Sequence, residues 1–147
     1  MKKFLWVGGL AITAAVLAAE MGPAHFPYDP VKLHESIAAD RAALAERPDD
    51  TGRQTALGLD LVHLSGAVER SHPIEAYCSA SEGRDLLERV VARAPGNLDA
   101  RETLYCLYTK APWPLGSRAR AAAQFAAIRE RDPARAQAAA TRVAASE

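Results

Sequence analysis

The fold class is decided by residues 82–133, which read EGRDLLERVVARAPGNLDARETLYCLYTKAPWPLGSRARAAAQFAAIRERDP. Apolar residues recur in this stretch at helical spacing in three successive sets. The first set stops at Pro95-Gly96, a pair that breaks a helix. The last set stops at Asp132-Pro133, where an Asp suited to capping precedes a Pro suited to the first helical position. The stretch therefore predicts three consecutive helices joined by short connections.

Composition extends this prediction to the whole chain. The 147 residues fit one domain, and only 6% of them are aromatic. Runs rich in Val, Ile and Thr with period-two alternation, which would indicate strands, are missing. The 18 basic residues balance the 18 acidic ones, so no strong field favours nucleic acid as a partner. We therefore expect an all-α protein that does not bind nucleic acid.

The first 20 residues differ from the rest of the chain. Two lysines precede the uncharged apolar run Phe4–Ala19, which ends in small residues where a signal peptidase could cut. Its sixteen residues fall just short of the ~17 to 25 that span a bilayer, so a cleaved signal and a retained membrane anchor both stay open. Either interpretation predicts a periplasmic location, with the chain secreted across the inner membrane or anchored in it. Residues 21–29 are then an extended spacer and residues 30–147 the folded domain.

Local patterns predict where the remaining helices begin. Asp29-Pro30 repeats the capping pattern of Asp132-Pro133, so the first helix should run from Pro30 to Arg47. Capping boxes at Thr51 and at Ser79 should start the second and third helices. The second helix has little polar face and should be central. Phe26 and Tyr28 in the spacer either dock on a partner or pack against the first helix.

These helices resemble the tetratricopeptide repeat (TPR), a helical hairpin that stacks on its neighbours. The resemblance covers residues 49–133. It depends on Leu104 and Tyr108 in one helix, Ala122 and Phe125 in the next, and a terminal Pro133, and a first unit aligns when Pro48 is laid over Pro95. The resemblance implies antiparallel helical hairpins stacked as a short TPR-like α-solenoid, with about six helices after the N-terminal segment.

Two insertions depart from the repeat pattern. The first covers Arg70 to Ser81, and the second is the Pro-rich connection around Trp113, which should cover the end of its hairpin. The repeat register also implies a concave groove for a protein partner, because the first helices of successive hairpins line that side. The residues assigned to this groove are Asp60, His63, Arg101, Glu102 and Tyr105. The alternative is that these residues form an ordinary solvated helix face.

The two cysteines are the sharpest local signal. An exported chain meets an oxidising compartment, so we expect a disulfide between Cys78 and Cys106, with α-carbons within about 7 Å. A redox pair or a metal site is the alternative, although no Cys-x-x-Cys motif supports it. The histidines have no metal-ligand spacing, so we expect no metal and no cofactor.

No motif for a nucleophile or a phosphate loop is present, so we expect no catalytic residues and no enzyme activity. Stacked hairpins offer an extended surface, which favours a periplasmic or periplasm-facing protein-binding scaffold or an assembly factor for an envelope complex. One alternative is an accessory subunit of a membrane complex, anchored through Phe4–Ala19. The other is the binding component of a transport system.

Overall fold

The computed structural model describes residues 28–145, and these residues form six α-helices without any strand. The prediction of an all-α fold is thereby confirmed. In chain order the helices are α1 (Pro30–Glu46), α2 (Thr51–Val68), α3 (Pro73–Arg93), α4 (Leu98–Lys110), α5 (Arg118–Arg131) and α6 (Pro133–Ala144).

Two Asp-Pro pairs start helices as predicted. The Asp29 carboxylate accepts a hydrogen bond from the Val31 amide at the start of α1, and Asp132 accepts one from the Arg135 amide at the start of α6. The start of α2 differs by one residue from the prediction. Its capping side chain is Asp50, which accepts from the Arg53 amide, and Thr51 is already helical. Asp and Ser or Thr cap helices comparably well, so the pattern alone left the choice open.

The start of α3 was predicted wrongly. The helix begins at Pro73 rather than near Ser79, and Ser79 is buried within it. Pro73 occupies the first turn and Glu75 places a negative charge there, which suits the positive end of the helix dipole. Most of the expected insertion, Arg70 to Ser81, is therefore helix, and α3 becomes the longest helix that the structure describes.

Each helix packs against the next one along the chain, and α2 also contacts α4, as α4 contacts α6. Helix α2 is central in the first half, as predicted, because it contacts α1, α3 and α4. Its crossing with α3 is close: a Cβ on Gly58 would lie 2.6 Å from the Leu87 side chain, and one on Gly83 3.0 Å from the Gly58 carbonyl oxygen. The small residues thus permit tight packing of these two helices.

The core continues from the first three helices into the hairpin of α4 and α5. Leu104 and Tyr108 of α4 are buried, as the repeat register predicted. On α5 the buried residues are Ala121 and Ile128, whereas Phe125 is only half-buried. Of the apolar set expected on this helix, Ile128 is therefore confirmed as buried, whereas Ala122 and Ala126 are exposed. The buried face of α5 is thus rotated from the one that the repeat positions Ala122 and Phe125 predicted.

Helix α6 closes the described part of the chain. Ala136, Ala139 and Val143 are buried on the face that packs against α4 and α5. Within residues 28–145, no helix is both long and apolar enough to cross a membrane. The predicted signal or anchor at residues 1–20, including the run Phe4–Ala19, and most of the spacer, including Phe26, lie outside the described residues.

Candidate functional site

The five predicted groove residues fall into three separate surroundings. On α2, the His63 ring stacks on the Tyr28 ring, with centroids 4.1 Å apart and planes 12° apart. Burial lowers the pKa of His63, although nearby Asp60 opposes this effect. Asp60 lines a shallow pocket of about 360 Å³ together with Tyr28 and Lys32. These two residues of α2 therefore face the start of α1.

Arg101 and Tyr105 of α4 face α5 instead. The Arg101 guanidinium donates to the Gln124 side-chain oxygen at 2.9 Å and to the Pro95 carbonyl at 2.7 Å. Burial, followed by the charge of Arg131, lowers the pKa of Arg101. The Tyr105 ring lies 5.5 Å from the Phe125 ring. Both side chains thus contribute to the contact between α4 and α5.

Glu102 connects α4 to α6. Its carboxylate accepts a hydrogen bond from Arg135 at 2.7 Å and also pairs with Arg142. Arg135 pairs with Asp99 as well, and hydrogen bonds to Asp99 and Glu102 raise the pKa of Arg135. Four of the five residues therefore have contacts within the chain, and Asp60 lines the shallow pocket beside Tyr28. Their role in partner binding stays a prediction.

The predicted disulfide is wrong in this structure. Cys78 is exposed on α3, Cys106 is half-buried on α4, and both are free thiols beyond bonding distance. Burial, together with the charge of Glu102, raises the pKa of Cys106. Glu102, whose charge acts on Cys106, pairs with α6, whereas Cys78 is exposed on α3. Spacing along the chain could not show that the two thiols have different surroundings.

The connection from Ala111 to Ser117 differs from the sequence prediction, which expected Trp113 to cover the end of the hairpin. Trp113 is 89% exposed and does not cover the end of the hairpin. Leu115 takes that position instead: it is buried in a cluster with Ala80 and Leu107. A Cβ on the neighbouring Gly116 would overlap the Ala111 carbonyl oxygen, so the chain passes too closely here for any larger residue.

Trp113 lines a cleft of about 460 Å³ between α3, this connection and α5. Its charged walls are formed by Arg84 and Glu88 of α3 and by Arg120 of α5. The remaining lining residues are Pro114, Leu115, Gly116 and Ser117. The cleft thus combines an exposed indole with two guanidinium groups.

The charged side chains of the cleft are held in position by one another. Glu88 accepts a hydrogen bond from Arg120 at 2.9 Å and another from the Tyr108 hydroxyl. Burial and the bond to Glu88 raise the pKa of Tyr108 to about 12, so the hydroxyl keeps its proton and donates. The Arg120 guanidinium also lies 5.7 Å from the centre of the Tyr108 ring. Arg84 pairs with its neighbour Asp85.

This arrangement suits recognition of another protein. Trp and Arg are enriched among the residues that contribute most to binding energy at protein interfaces. The sequence carried one signal for the site, a Trp between two prolines in a short connection. Within residues 28–145, no cluster of His, Cys, Asp or Glu has the arrangement of a metal site.

Comparison with known proteins adds no relative. No protein-family model, no curated protein and no solved structure matches the chain. The resemblance to the tetratricopeptide repeat therefore depends on the residues of this chain alone and stays a prediction.

Proposed function

We propose that the six helices form a short TPR-like solenoid that binds another protein, as a periplasmic or periplasm-facing scaffold or assembly factor for an envelope complex. The observation that carries this proposal is the 89% exposure of Trp113, which lines a cleft together with two arginines. An aromatic side chain of this size offers a large apolar area to a partner. We propose no catalytic role.

The order of helix contacts supports the solenoid. In stacked hairpins, the first helix of one hairpin contacts its own partner and the first helix of the next hairpin. Here α2 packs on α3 and on α4, and α4 packs on α5 and on α6. The second helices, α3 and α5, are linked by the ion pair between Glu88 and Arg120. Helix α6 would then be the first helix of a third unit, which closes the array.

The backbone of the connection that carries Trp113 is held by its neighbours, which supports a preformed site. Leu115 anchors the connection in the core, and the Ser117 amide donates to the Tyr108 carbonyl at 2.9 Å. The Ser117 hydroxyl in turn accepts from the Arg120 amide and caps α5. Little backbone freedom is then lost on binding, and preorganised groups bind more tightly for this reason.

The chemistry of the cleft indicates what the partner presents. Trp113 and Pro114 offer apolar contact, and Arg84 and Arg120 offer guanidinium groups that match a carboxylate. Glu88 and Asp85 already pair with these arginines, so an incoming carboxylate would share a balanced cluster. A partner segment with an apolar or aromatic side chain beside an Asp or Glu fits this combination.

The proposal is tested by pull-down from detergent-solubilised membranes with the full chain as bait. Trp113→Ala should weaken capture of the partner by at least about 2 kcal/mol, roughly 30-fold, which is the loss expected at an interface hot spot. Gly96→Ala is the matched control, because a Cβ there meets open space at the other end of the helices. Equal capture by both variants would show that the partner does not use this cleft.

A further inference from the structure

We propose that the end of the molecule where α1 and α3 begin lies against the headgroup region of a lipid bilayer. The surface consists of Tyr28, Val31, Ile74 and Tyr77 and is called the tip below. This inference rests on the proposed function, because it requires that the chain is exported to a membrane surface. It adds a second binding surface, whose four residues do not line the Trp113 cleft, and commits to lipid as its occupant.

The four residues of the tip belong to one end because α1 and α3 run in the same direction. His34 of α1 contacts Glu75 of α3 at 2.7 Å, and Arg41 contacts Glu82 at the same distance. The second pair lies seven residues beyond the first pair in both helices. The two helices are therefore parallel, and their first turns are neighbours. Tyr28 joins them by stacking on His63 of α2.

The tip is where exposed apolar side chains concentrate. Ile74 is 81% exposed, Val31 65%, Tyr77 49% and Tyr28 42%. Across residues 28–145, the one other large apolar side chain with comparable exposure is Trp113. The opposite end, with the connections from α1 to α2 and from α3 to α4, carries polar residues, prolines and Gly96. Exposed apolar residues on one end of a protein indicate a binding surface.

The short distance along the chain between the tip and the N-terminal apolar run indicates that the tip faces a bilayer. Tyr28 lies at the tip, and the eight residues 20–27 separate it from the apolar run Phe4–Ala19. Eight residues span at most about 29 Å when fully extended. If Phe4–Ala19 enters a membrane, the tip is therefore the end of the helical domain that is held within about 29 Å of it.

The residue types of the tip fit the interface between lipid and water. Tyr is enriched at the level of the headgroups, where its ring is in apolar surroundings and its hydroxyl is hydrated. Exposed charges of both signs lie at the same end, with Lys32 and Arg70 close in sequence to Asp29 and Glu69, so these four charges cancel. Val31 and Ile74 add apolar contact between these polar groups. The tip thus combines tyrosines with exposed aliphatic side chains, as an interfacial surface does.

The test uses the full chain reconstituted in vesicles of phosphatidylcholine with phosphatidylglycerol. Trp6→Phe and Trp113→Phe remove the native indoles, and Ile74→Trp places a single reporter at the tip. Gly96→Trp in the same background is the matched reporter at the opposite end, where a side chain meets open space. We expect brominated lipid to quench the reporter at position 74 several-fold more strongly than the one at position 96. Equal quenching, or failure of the chain to float with the vesicles, would overturn the proposal.

A second pair of variants tests whether a new negative charge weakens lipid contact only at the tip or at any exposed position. Val31→Glu in the position-74 reporter chain should abolish most of the lipid quenching, because it places a carboxylate in the contact. Ala92→Glu makes the same change on an exposed site near the far end of α3 and should leave the quenching unchanged. Equal effects of the two would contradict the proposal. Partner capture by the Trp113 cleft is measured without vesicles, so its failure would count against the proposed function alone.

Discussion

At the scale of single residues, His34 forms a link between helices that depends on pH. Its ring contacts Glu75 at 2.7 Å and the Pro30 carbonyl at 2.7 Å. The hydrogen bond to Glu75, followed by the one to Pro30, raises the pKa of His34 above its usual 6.5. Because this pKa is higher in the folded state, protonation of His34 stabilises the fold at pH values below the pKa of the unfolded state. The contribution is lost as the pH rises through the pKa of the folded state.

Glu75→Gln should therefore lower the melting temperature more at about pH 5.5 than at about pH 8, because only the protonated His34 gains from the carboxylate. Thermal unfolding followed by circular dichroism at the two pH values measures the difference. A melting temperature that drops equally at both would show that the ion pair does not form in solution.

His63 has the opposite pH dependence, because burial against Tyr28 favours its neutral form. With the pKa lowered in the folded state, the unfolded chain binds the proton more readily, so stability falls as the pH decreases below about 6.5. His63→Phe keeps a ring on Tyr28 and has no proton to bind. We predict that this variant loses less stability than the parent protein between about pH 7 and about pH 5. If the variant and the parent protein lost the same stability on acidification, His63 would be in contact with solvent in the folded state.

Gly116 is required by a close approach of backbone. Gly116→Ala would press a Cβ against the Ala111 carbonyl, and we expect it to cost about 1–3 kcal/mol of unfolding free energy or more. Gly96→Ala, with open space at the same atom, should stay within about 0.5 kcal/mol of the parent. Urea denaturation measures both variants. A Gly116→Ala protein as stable as the Gly96→Ala protein would mean that the connection carrying Trp113 is loosely held.

At the scale of elements, the register of α5 provides a direct test of the packing. Ile128 is fully buried, whereas Phe125 is half-buried beside Tyr105. Ile128→Ala should cost about 2–5 kcal/mol, the range for a buried aliphatic side chain. Phe125→Ala should cost less, since part of its ring already contacts water. Chemical denaturation of both variants decides this, and the reverse order would restore the register that the repeat pattern predicted.

Helix starts were predictable where the cap is local in sequence. Asp29-Pro30 and Asp132-Pro133 each contain the capping carboxylate and the first helical residue, so four or five residues suffice to identify them. The start of α3 has no side chain bonded as a cap. The sequence therefore favoured a helix start at the capping box of Ser79 over one at Pro73. Most of the expected insertion, Arg70 to Ser81, is helical in the structure. The rotated face of α5 has a similar cause, because in an alanine-rich helix several faces are equally apolar.

At the scale of the whole molecule, the candidate site could be predicted only in part. The helical spacing and the break positions determine six helices and the order in which they pack, because neighbouring helices joined by short connections must pack together. Which side chain faces which neighbour depends on the rotation of each helix. The contacts of Arg101, Glu102 and Tyr105 with α5 and α6 were therefore beyond prediction, and their role in a groove stays a prediction. The exposure of Trp113 is likewise a tertiary property, since the expectation that Trp113 covers the end of the hairpin was wrong and Leu115 is buried there instead.

Photo-crosslinking in the cells that make the protein would show whether Trp113 meets a partner. A photoreactive phenylalanine analogue replaces Trp113 in the full chain, and a second chain carries it at Gly96. We predict that position 113 crosslinks to a defined envelope protein and that position 96 does not. Its crosslink should also disappear when Arg84→Ala and Arg120→Ala are combined in the same chain. Crosslinking at position 96 to the same protein with equal yield, or no product at position 113, would contradict the account.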